Sequence, residues 1–218
     1  MQALFLAPHG DDAHIAAGGT MARLAEAGAE IFLISFCPAD DALPPGYPPG
    51  TVFDEVRKAS AKLSIPSENL EFHEFPNHQF PSRRQEILQL LVDRRKAHTP
   101  DVVFTPSAAD IHQDHATVAT EALRAFRKYS SIYGFDMPWN VAGAARLDLF
   151  VELNEAQLDR KLRALACFES QHEKDNNCAT PEYARHLAAV RGNAMEAPYA
   201  EAFEVVREVR RLGRELFQ

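Results

Sequence analysis

The feature that most constrains the fold of this chain is an alternation between short apolar runs and segments with helical spacing. The first apolar run, Gln2–Ala7, is typical of a buried parallel strand. A helical pattern then continues to Gly28, and a second apolar, β-branched run covers Glu30–Cys37. A strand, a helix and a strand of these lengths predict a βαβ unit with a right-handed crossover.

The alternation continues through the first two thirds of the chain. Helical spacing and apolar runs predict further helices and strands in turn at Val52–Leu63, Leu70–Phe75, Arg83–Ala97, Asp101–Thr105, Ala116–Lys128 and Ile132–Phe135. The alternating segment Ala145–Leu153 predicts a strand near an edge. Strands and helices in this order are typical of a mostly parallel sheet with helices on both faces, which is an α/β fold.

The character of the sequence changes after residue 153. Glu155–Phe168 and Pro181–Met195 read as amphipathic helices, and Tyr199–Leu216 repeats apolar residues at helical spacing. We therefore expect one domain over residues 1–218, in which a sheet core (1–153) is followed by a mostly helical C-terminal part (154–218).

Composition excludes several classes of protein. The chain is 46% hydrophobic and 25% charged, which is ordinary for a globular protein, and its net charge of -8 gives no basis for binding nucleic acid. Cys37, Cys167 and Cys178 form no Cys-x-x-Cys pair, which indicates reduced thiols. The first apolar run reaches His9 too soon for a signal peptide, and no run approaches the roughly 20 apolar residues that span a bilayer. We expect a soluble, cytoplasmic protein with no membrane partner; the sequence leaves a homo-oligomer open.

The turn after the first predicted strand contains residues that can bind a metal ion or transfer a proton. His9, Asp11 and Asp12 fall within four positions, at the carboxyl end of that strand, where open α/β sheets place their ligands. Imidazole nitrogen and carboxylate oxygen both suit zinc. A plainer interpretation is that Asp11 or Asp12 caps the following helix.

A second turn of the same kind follows the strand at Asp101–Thr105. It carries Asp110, His112, Asp114 and His115 just before another helical segment. If the two turns lie at adjacent strand ends, His9, Asp12 and His115 can surround one divalent ion. Zinc is expected, with iron as an option for the same ligand set.

Two nitrogens and one oxygen leave a coordination position open for water, which is typical of catalytic zinc. Asp11 is then a spare carboxylate that can act as general base towards metal-bound water. His112 can act as general acid or stabilise an oxyanion, and Asp114 can fix a histidine tautomer or cap a helix. Asp110 is open to two interpretations: a site residue that contacts the substrate, or an ordinary loop residue.

These motifs carry a family resemblance. Pro8-His9-Gly10-Asp11-Asp12, then Gly18-Gly19-Thr20, the His-x-Asp-His that ends at His115, and Tyr199-Ala-Glu-Ala-Phe203 together resemble the PIG-L/LmbE family of zinc-dependent deacetylases. The resemblance implies a Rossmann-like fold and hydrolysis of an N-acetyl group on a glucosamine-type sugar. It places the zinc ligands on His9, Asp12 and His115, the base on Asp11 and the acid or oxyanion-stabilising histidine on His112. The family's proline stands here as Gly10 and its glutamate as Ala13.

Substrate contacts are expected elsewhere. Trp139 can stack on a sugar ring, Asn140 can bond hydroxyls, and Arg57 can reach an anionic group, although each is also an ordinary core or surface residue. The Pro- and Gly-rich loop Pro38–Gly50 leaves the second strand and is expected to overhang the site or to be a plain connection. The small-molecule partner is an aminosugar or its conjugate. Alternatives are an iron(II) enzyme with two histidines and one carboxylate, or a sugar-binding protein without catalysis.

Overall fold

The structure, a computed structural model, describes residues 1–141, 143, 146–174 and 180–210. Within these residues, seven strands and seven helices follow in chain order: β1 (Gln2–His9), α1 (Asp12–Glu26), β2 (Glu30–Cys37), α2 (Thr51–Lys62), β3 (Leu70–Phe72), α3 (Phe80–Ala97), β4 (Val102–Pro106), α4 (Gln113–Phe126), β5 (Ser131–Phe135), β6 (Leu149–Leu153), α5 (Glu155–Leu165), α6 (Glu169–His172), α7 (Pro181–Asn193) and β7 (Tyr199–Arg207). Short 3-10 helices lie at Asp40–Ala42, Ser67–Asn69 and Pro138–Asn140.

The seven strands form one sheet in the order β3-β2-β1-β4-β5-β7-β6. The strands from β3 to β5 are parallel, while β7 runs antiparallel to both β5 and β6. This is the predicted mostly parallel α/β sheet. The chain leaves β1 towards β2 and returns on the other side at β4, so the strand order reverses between β1 and β4.

The core lies on both faces of the sheet because successive side chains of a strand point to opposite sides. Ala3 and Phe5 of β1 belong to the cluster that includes α1, α2 and α5, whereas Leu4 and Leu6 belong to the cluster that includes α3 and α4. The sheet is thus covered on both faces, as its apolar strands require. No helix in the described ranges is long and apolar enough to cross a membrane.

Element boundaries differ from the predictions by a few residues in most cases. Helix α3 starts at Phe80 instead of Arg83, and α4 starts at Gln113 instead of Ala116. Strand β3 ends at Phe72, although the N–H of Phe75 still donates to the carbonyl of Phe36. Strand β6 lies at the sheet edge as predicted; Ala145, where it was expected to begin, lies outside the described residues.

The prediction for the C-terminal segment was wrong. Tyr199–Arg207 is strand β7, paired between β5 and β6, and is not a helix; residues 211–218 lie outside the described chain. The strand is buried along its first half, where Ala200, Ala202 and Phe203 are all fully enclosed. The C-terminal part therefore supplies α5, α6 and α7 but also a strand of the sheet.

A buried ion pair joins three of these elements. Glu201 of β7 binds the Lys161 ammonium of α5 at 2.6 Å and accepts the backbone N–H groups of Gly19 and Thr20 in α1 at 2.9 and 2.6 Å. Lys161 and Glu201 are 3% and 1% exposed. The Gly18-Gly19-Thr20 segment is thus the part of α1 whose backbone binds the buried carboxylate of Glu201.

Candidate metal centre and catalytic cavity

The reversal of strand order places two turns side by side. His9 ends β1, and the segment between β4 and α4 carries Asp110 to His115. In an open α/β sheet the carboxyl ends of the strands at such a reversal form the ligand-binding crevice. The two motifs therefore face each other across the ends of β1 and β4, as the sequence predicted.

Three side-chain atoms form a near-equilateral triangle. His9 Nδ1 lies 3.2 Å from His115 Nε2, and Asp12 Oδ2 lies 3.4 Å from the former and 3.2 Å from the latter. A tetrahedral ion bound at about 2.0–2.1 Å separates its ligand atoms by about 3.3 Å. The donor set and the spacing both fit one divalent ion held by the three predicted ligands.

Each histidine of the triangle contacts a carboxylate through its other ring nitrogen. Asp114 Oδ2 lies 3.3 Å from His9 Nε2, and Asp110 Oδ2 lies 2.7 Å from His115 Nδ1. Such partners fix the tautomer that a metal ion needs. Asp110 is 3% exposed and also accepts the N–H of His112, so the structure places it behind the ligands and away from the cavity where a substrate contact was expected.

These contacts also set the charges of the ligands. Burial lowers the pKa of His9, but hydrogen bonds to Asp114 and Asp12 outweigh it and raise that pKa to about 9. Burial lowers the pKa of His115 as well, but the charge of Asp12 and the hydrogen bond that His115 donates to Asp110 outweigh it and raise that pKa to about 10. Burial raises the pKa of Asp12, yet the charge of His115 leaves it well below its usual value. Both histidines thus carry a proton at neutral pH beside ionised Asp12, and an ion bound at the triangle would displace those protons.

Asp11 is the carboxylate that the triangle does not use. It immediately precedes α1, but within the described chain its side chain accepts none of the first-turn N–H groups, so the capping interpretation does not hold for Asp11. Asp12 accepts the N–H of His9 instead. Burial and the adjacent charge of Asp12 raise the pKa of Asp11 to about 6, despite the opposing charges of His9 and Lys174. A carboxylate with a pKa near neutrality suits a general base.

His112, not Asp114, caps α4. The ring Nδ1 of His112 accepts the backbone N–H of Asp114 at 3.2 Å, which leaves the proton on Nε2. Burial and the charges of His115 and His9 lower the pKa of His112, so its ring is a neutral donor at neutral pH. Asp114 is fully buried and holds the backbone N–H groups of His78 and Phe80 at 2.8 and 3.2 Å. Asp114 is not among the described residues that line the cavity, so it contacts the site only through the groups that it holds.

A cavity of about 310 Å³ opens above the triangle. Its lining includes His9, Asp11, Asp12, His112 and His115, together with Trp139 and Asn140 of the loop after β5. Both of these expected substrate contacts are thus on the cavity wall. Arg57 is not: its guanidinium lies over the ring of Phe72 at 4.4 Å and pairs with Asp54 at 2.8 Å.

Several cavity residues carried no sequence signal. The topology brings these together from segments far from both motifs: Val52, Asn77, His78, Gln171 and Lys174. Ile15, Ala39 and Ala42 also line the cavity; Ile15 lies one turn after Asp12 on α1. Ala39 and Ala42 belong to the Pro38–Gly50 loop, which therefore forms a rim of the cavity. Tyr47 of this loop donates to Glu173 at 2.8 Å, which joins the rim to the segment after α6.

Fold and site together define a class of protein: a doubly wound α/β protein with a two-histidine, one-carboxylate site at the carboxyl ends of its central strands. Comparison with known families agrees. The family described as PIG-L: GlcNAc-PI de-N-acetylase matches residues 4–126, more than half of the chain, and the chain belongs to it. No curated protein shows significant sequence similarity to the chain.

Solved structures share the fold. The N,N'-diacetylchitobiose deacetylase from Pyrococcus horikoshii is 19% identical with a TM-score of 0.76, over 93% of this chain and 82% of that one. A zinc-inhibited form of teicoplanin deacetylase is 19% identical with a TM-score of 0.72, over 95% of this chain and 99% of that one. The 4-carboxy-2-hydroxymuconate hydratase from Pseudomonas putida KT2440 is 20% identical with a TM-score of 0.77, over 99% of both chains.

Proposed function

We propose that the chain is a metal-dependent hydrolase that removes the N-acetyl group from a small aminosugar or its conjugate. The observation that carries the proposal is the triangle of His9 Nδ1, Asp12 Oδ2 and His115 Nε2, with the unused carboxylate of Asp11 beside it on the same cavity. Membership of the family and the deacetylase activities named for two of the similar structures support the substrate class.

The three ligands would hold zinc, or iron in the same set. A bound ion would lower the pKa of a water molecule and polarise the substrate carbonyl. Asp114 and Asp110 keep His9 and His115 in the tautomers that leave Nδ1 and Nε2 free for the ion.

The chain's own groups handle the protons. Asp11 takes a proton from the attacking water as the water oxygen bonds to the carbonyl carbon. The Nε2–H of His112 donates to the oxygen that becomes negative, because its Nδ1 is held by the N–H of Asp114. When the carbon–nitrogen bond breaks, Asp11 returns its proton to the leaving nitrogen. The products are acetate and the free amine.

The proposal is tested by measuring amine release from N-acetylated aminosugars and their conjugates. Zinc-loaded and chelator-stripped protein are assayed side by side, and iron(II)-loaded protein in a third arm identifies the more active metal. Release from at least one substrate by loaded protein alone is the expected result. Equal release by stripped protein would contradict the metal requirement, and no release from any substrate would contradict the substrate class.

The role of Asp11 has its own test. Asp11→Asn should keep the bound metal and lose turnover by about 10²–10⁴-fold, because the variant removes a general base and no ligand. Metal content and amine release are measured on the same sample, with Asp54→Asn on the exposed face of α2 as the matched control. A near-normal rate in Asp11→Asn would overturn the assignment.

A second candidate is addition of water to a carboxylated substrate. Lys174 is the one lysine or arginine among the described cavity residues, and within the described chain it makes no ion pair. A neutral N-acetylated sugar has no negative group to pair with Lys174, whereas a carboxylated substrate has one. One similar structure is named as a hydratase of a carboxylated compound. The test is to incubate the protein with an unsaturated dicarboxylate and follow its ultraviolet absorbance. Loss of that absorbance, together with no amine release from the N-acetylated sugars, would favour this candidate.

A further inference from the structure

Gly10, which stands where the family has proline, is covered by helix α2. A Cβ atom added to Gly10 would lie 2.5 Å from Val52 Cγ1 and 2.9 Å from Val56 Cγ2. Both valines are buried, at 2% and 0% exposure, and lie four residues apart on one face of the helix. Valine in a helix has one strongly preferred rotamer, so these side chains cannot easily withdraw. The absence of a side chain at position 10 is what lets α2 come this close to the catalytic turn.

The two valines differ in one respect. Val52 lines the cavity together with Asp11, whereas Val56 lies behind Gly10 and is not among the lining residues. The other aliphatic side chains on the wall are Ile15, Ala39 and Ala42. Val52 is therefore the bulky aliphatic group that α2 presents to the cavity directly beside the catalytic turn.

An N-acylated aminosugar has one apolar end, the alkyl part of its acyl group, and one hydroxyl-rich end. Its carbonyl carbon must lie beside Asp11 and the triangle for water to attack it. The alkyl part, which is bonded to that carbon, therefore lies against the cavity wall beside the turn that carries Asp11. The hydroxyl-rich end suits the polar lining residues, which include Asn77, Asn140 and Gln171. The cavity of about 310 Å³ is at the small end of ligand pockets, which span roughly 300–1,000 Å³.

We propose that Val52, which Gly10 admits to the cavity wall, closes the acyl subsite and restricts the substrate to acetyl or a similarly small acyl group. This rests on the proposed N-deacetylation. Val52 is a specificity-determining residue in this account and takes no part in proton transfer or metal binding.

The test is the acyl-chain preference of Val52→Ala, with Val56→Ala as the matched control. Amine release is measured from N-acetyl-, N-propionyl- and N-butyrylglucosamine, and the ratio of kcat/KM for butyryl to acetyl is compared. One methylene in an apolar pocket is worth about 10–200-fold. We expect the ratio to rise at least about tenfold in Val52→Ala and to stay at the wild-type value in Val56→Ala, although both variants lose core packing.

The outcomes separate the two proposals. An unchanged ratio in Val52→Ala, or an equal rise in Val56→Ala, would overturn the subsite while leaving N-deacylation in place. Amine release by the wild type from none of the three substrates would overturn both proposals for these sugars.

A second readout does not depend on activity. Gly10→Ala should lower the free energy of unfolding, and Val52→Ala in the same chain should restore part of that loss by removing the 2.5 Å conflict. The coupling is measured with a double-mutant cycle in urea. Additive effects of the two substitutions would contradict the packing on which the subsite depends.

Discussion

At the residue scale, the meeting of His9, Asp12 and His115 was easier to predict than the groups that hold them. His9, Asp12 and His115 lie in short motifs at strand ends, where sequence spacing alone brings metal-binding chemistry together. Asp110 precedes His115 by five residues, and no local pattern shows that its carboxylate turns back to His115 Nδ1. Gln171 and Lys174 come from a segment far from either motif, so only the topology could place them in the cavity.

The hydrogen bond between Asp110 and His115 gives a testable consequence. Asp110→Asn should weaken zinc binding by about 10–100-fold, because it removes the carboxylate that orients a ligand and raises its basicity. Competition with a chromophoric chelator measures the affinity, and Asp41→Asn, on the exposed part of the rim loop, is the control. Unchanged zinc affinity in Asp110→Asn would show that His115 needs no such support.

At the element scale, the alternation of strands and helices was readable because each parallel strand is a short apolar run. Strand β7 was not readable, since Ala200 and Ala202 favour helices locally and Glu201 has no place on an apolar strand face. The buried charge of Glu201 is satisfied by Lys161, forty residues away in sequence, and by two N–H groups of α1. Tertiary pairing of this kind overrides local propensity.

The pair is therefore expected to matter for stability. Glu201→Gln should lower the free energy of unfolding by about 3–5 kcal/mol, because Lys161 is left buried without its counter-charge. Adding Lys161→Met should recover part of the loss, since no uncompensated charge remains. Asp54→Asn, which breaks an exposed pair, should cost less than about 1 kcal/mol. Urea unfolding measures all four proteins, and equal losses in Glu201→Gln and Asp54→Asn would contradict this account.

At the scale of the whole molecule, stability should depend on pH through His14. Its ring is fully buried between α1 and α2, 3.1 Å from Ser60 Oγ, and burial lowers its pKa from 6.5 to about 4. Only the unfolded chain binds a proton here between pH 6.5 and 4, so the stability present above pH 6.5 falls as the pH is lowered through that window.

Between pH 7 and pH 5 this group should account for about 2 kcal/mol of lost stability. His14→Gln keeps a polar partner for Ser60, but glutamine does not titrate. Between pH 7 and pH 5, the free energy of unfolding of this variant should therefore fall by about 2 kcal/mol less than that of the wild type. Urea unfolding at both pH values provides the comparison. Identical pH dependence in the two proteins would mean that His14 is not held neutral in the folded chain.

The fold, the turns and the cavity all support the central proposal, which is that His9, Asp12 and His115 hold a single catalytic ion. The most direct test is the zinc content of reconstituted, desalted protein, measured by mass spectrometry for the wild type, His115→Ala and His98→Ala. His98 is exposed and belongs to neither of the two histidine groups near the cavity that could hold an ion, which makes it the matched control. The account predicts close to one zinc ion per chain in the wild type and in His98→Ala, and almost none in His115→Ala. Full zinc content in His115→Ala, or none in the wild type, would contradict it.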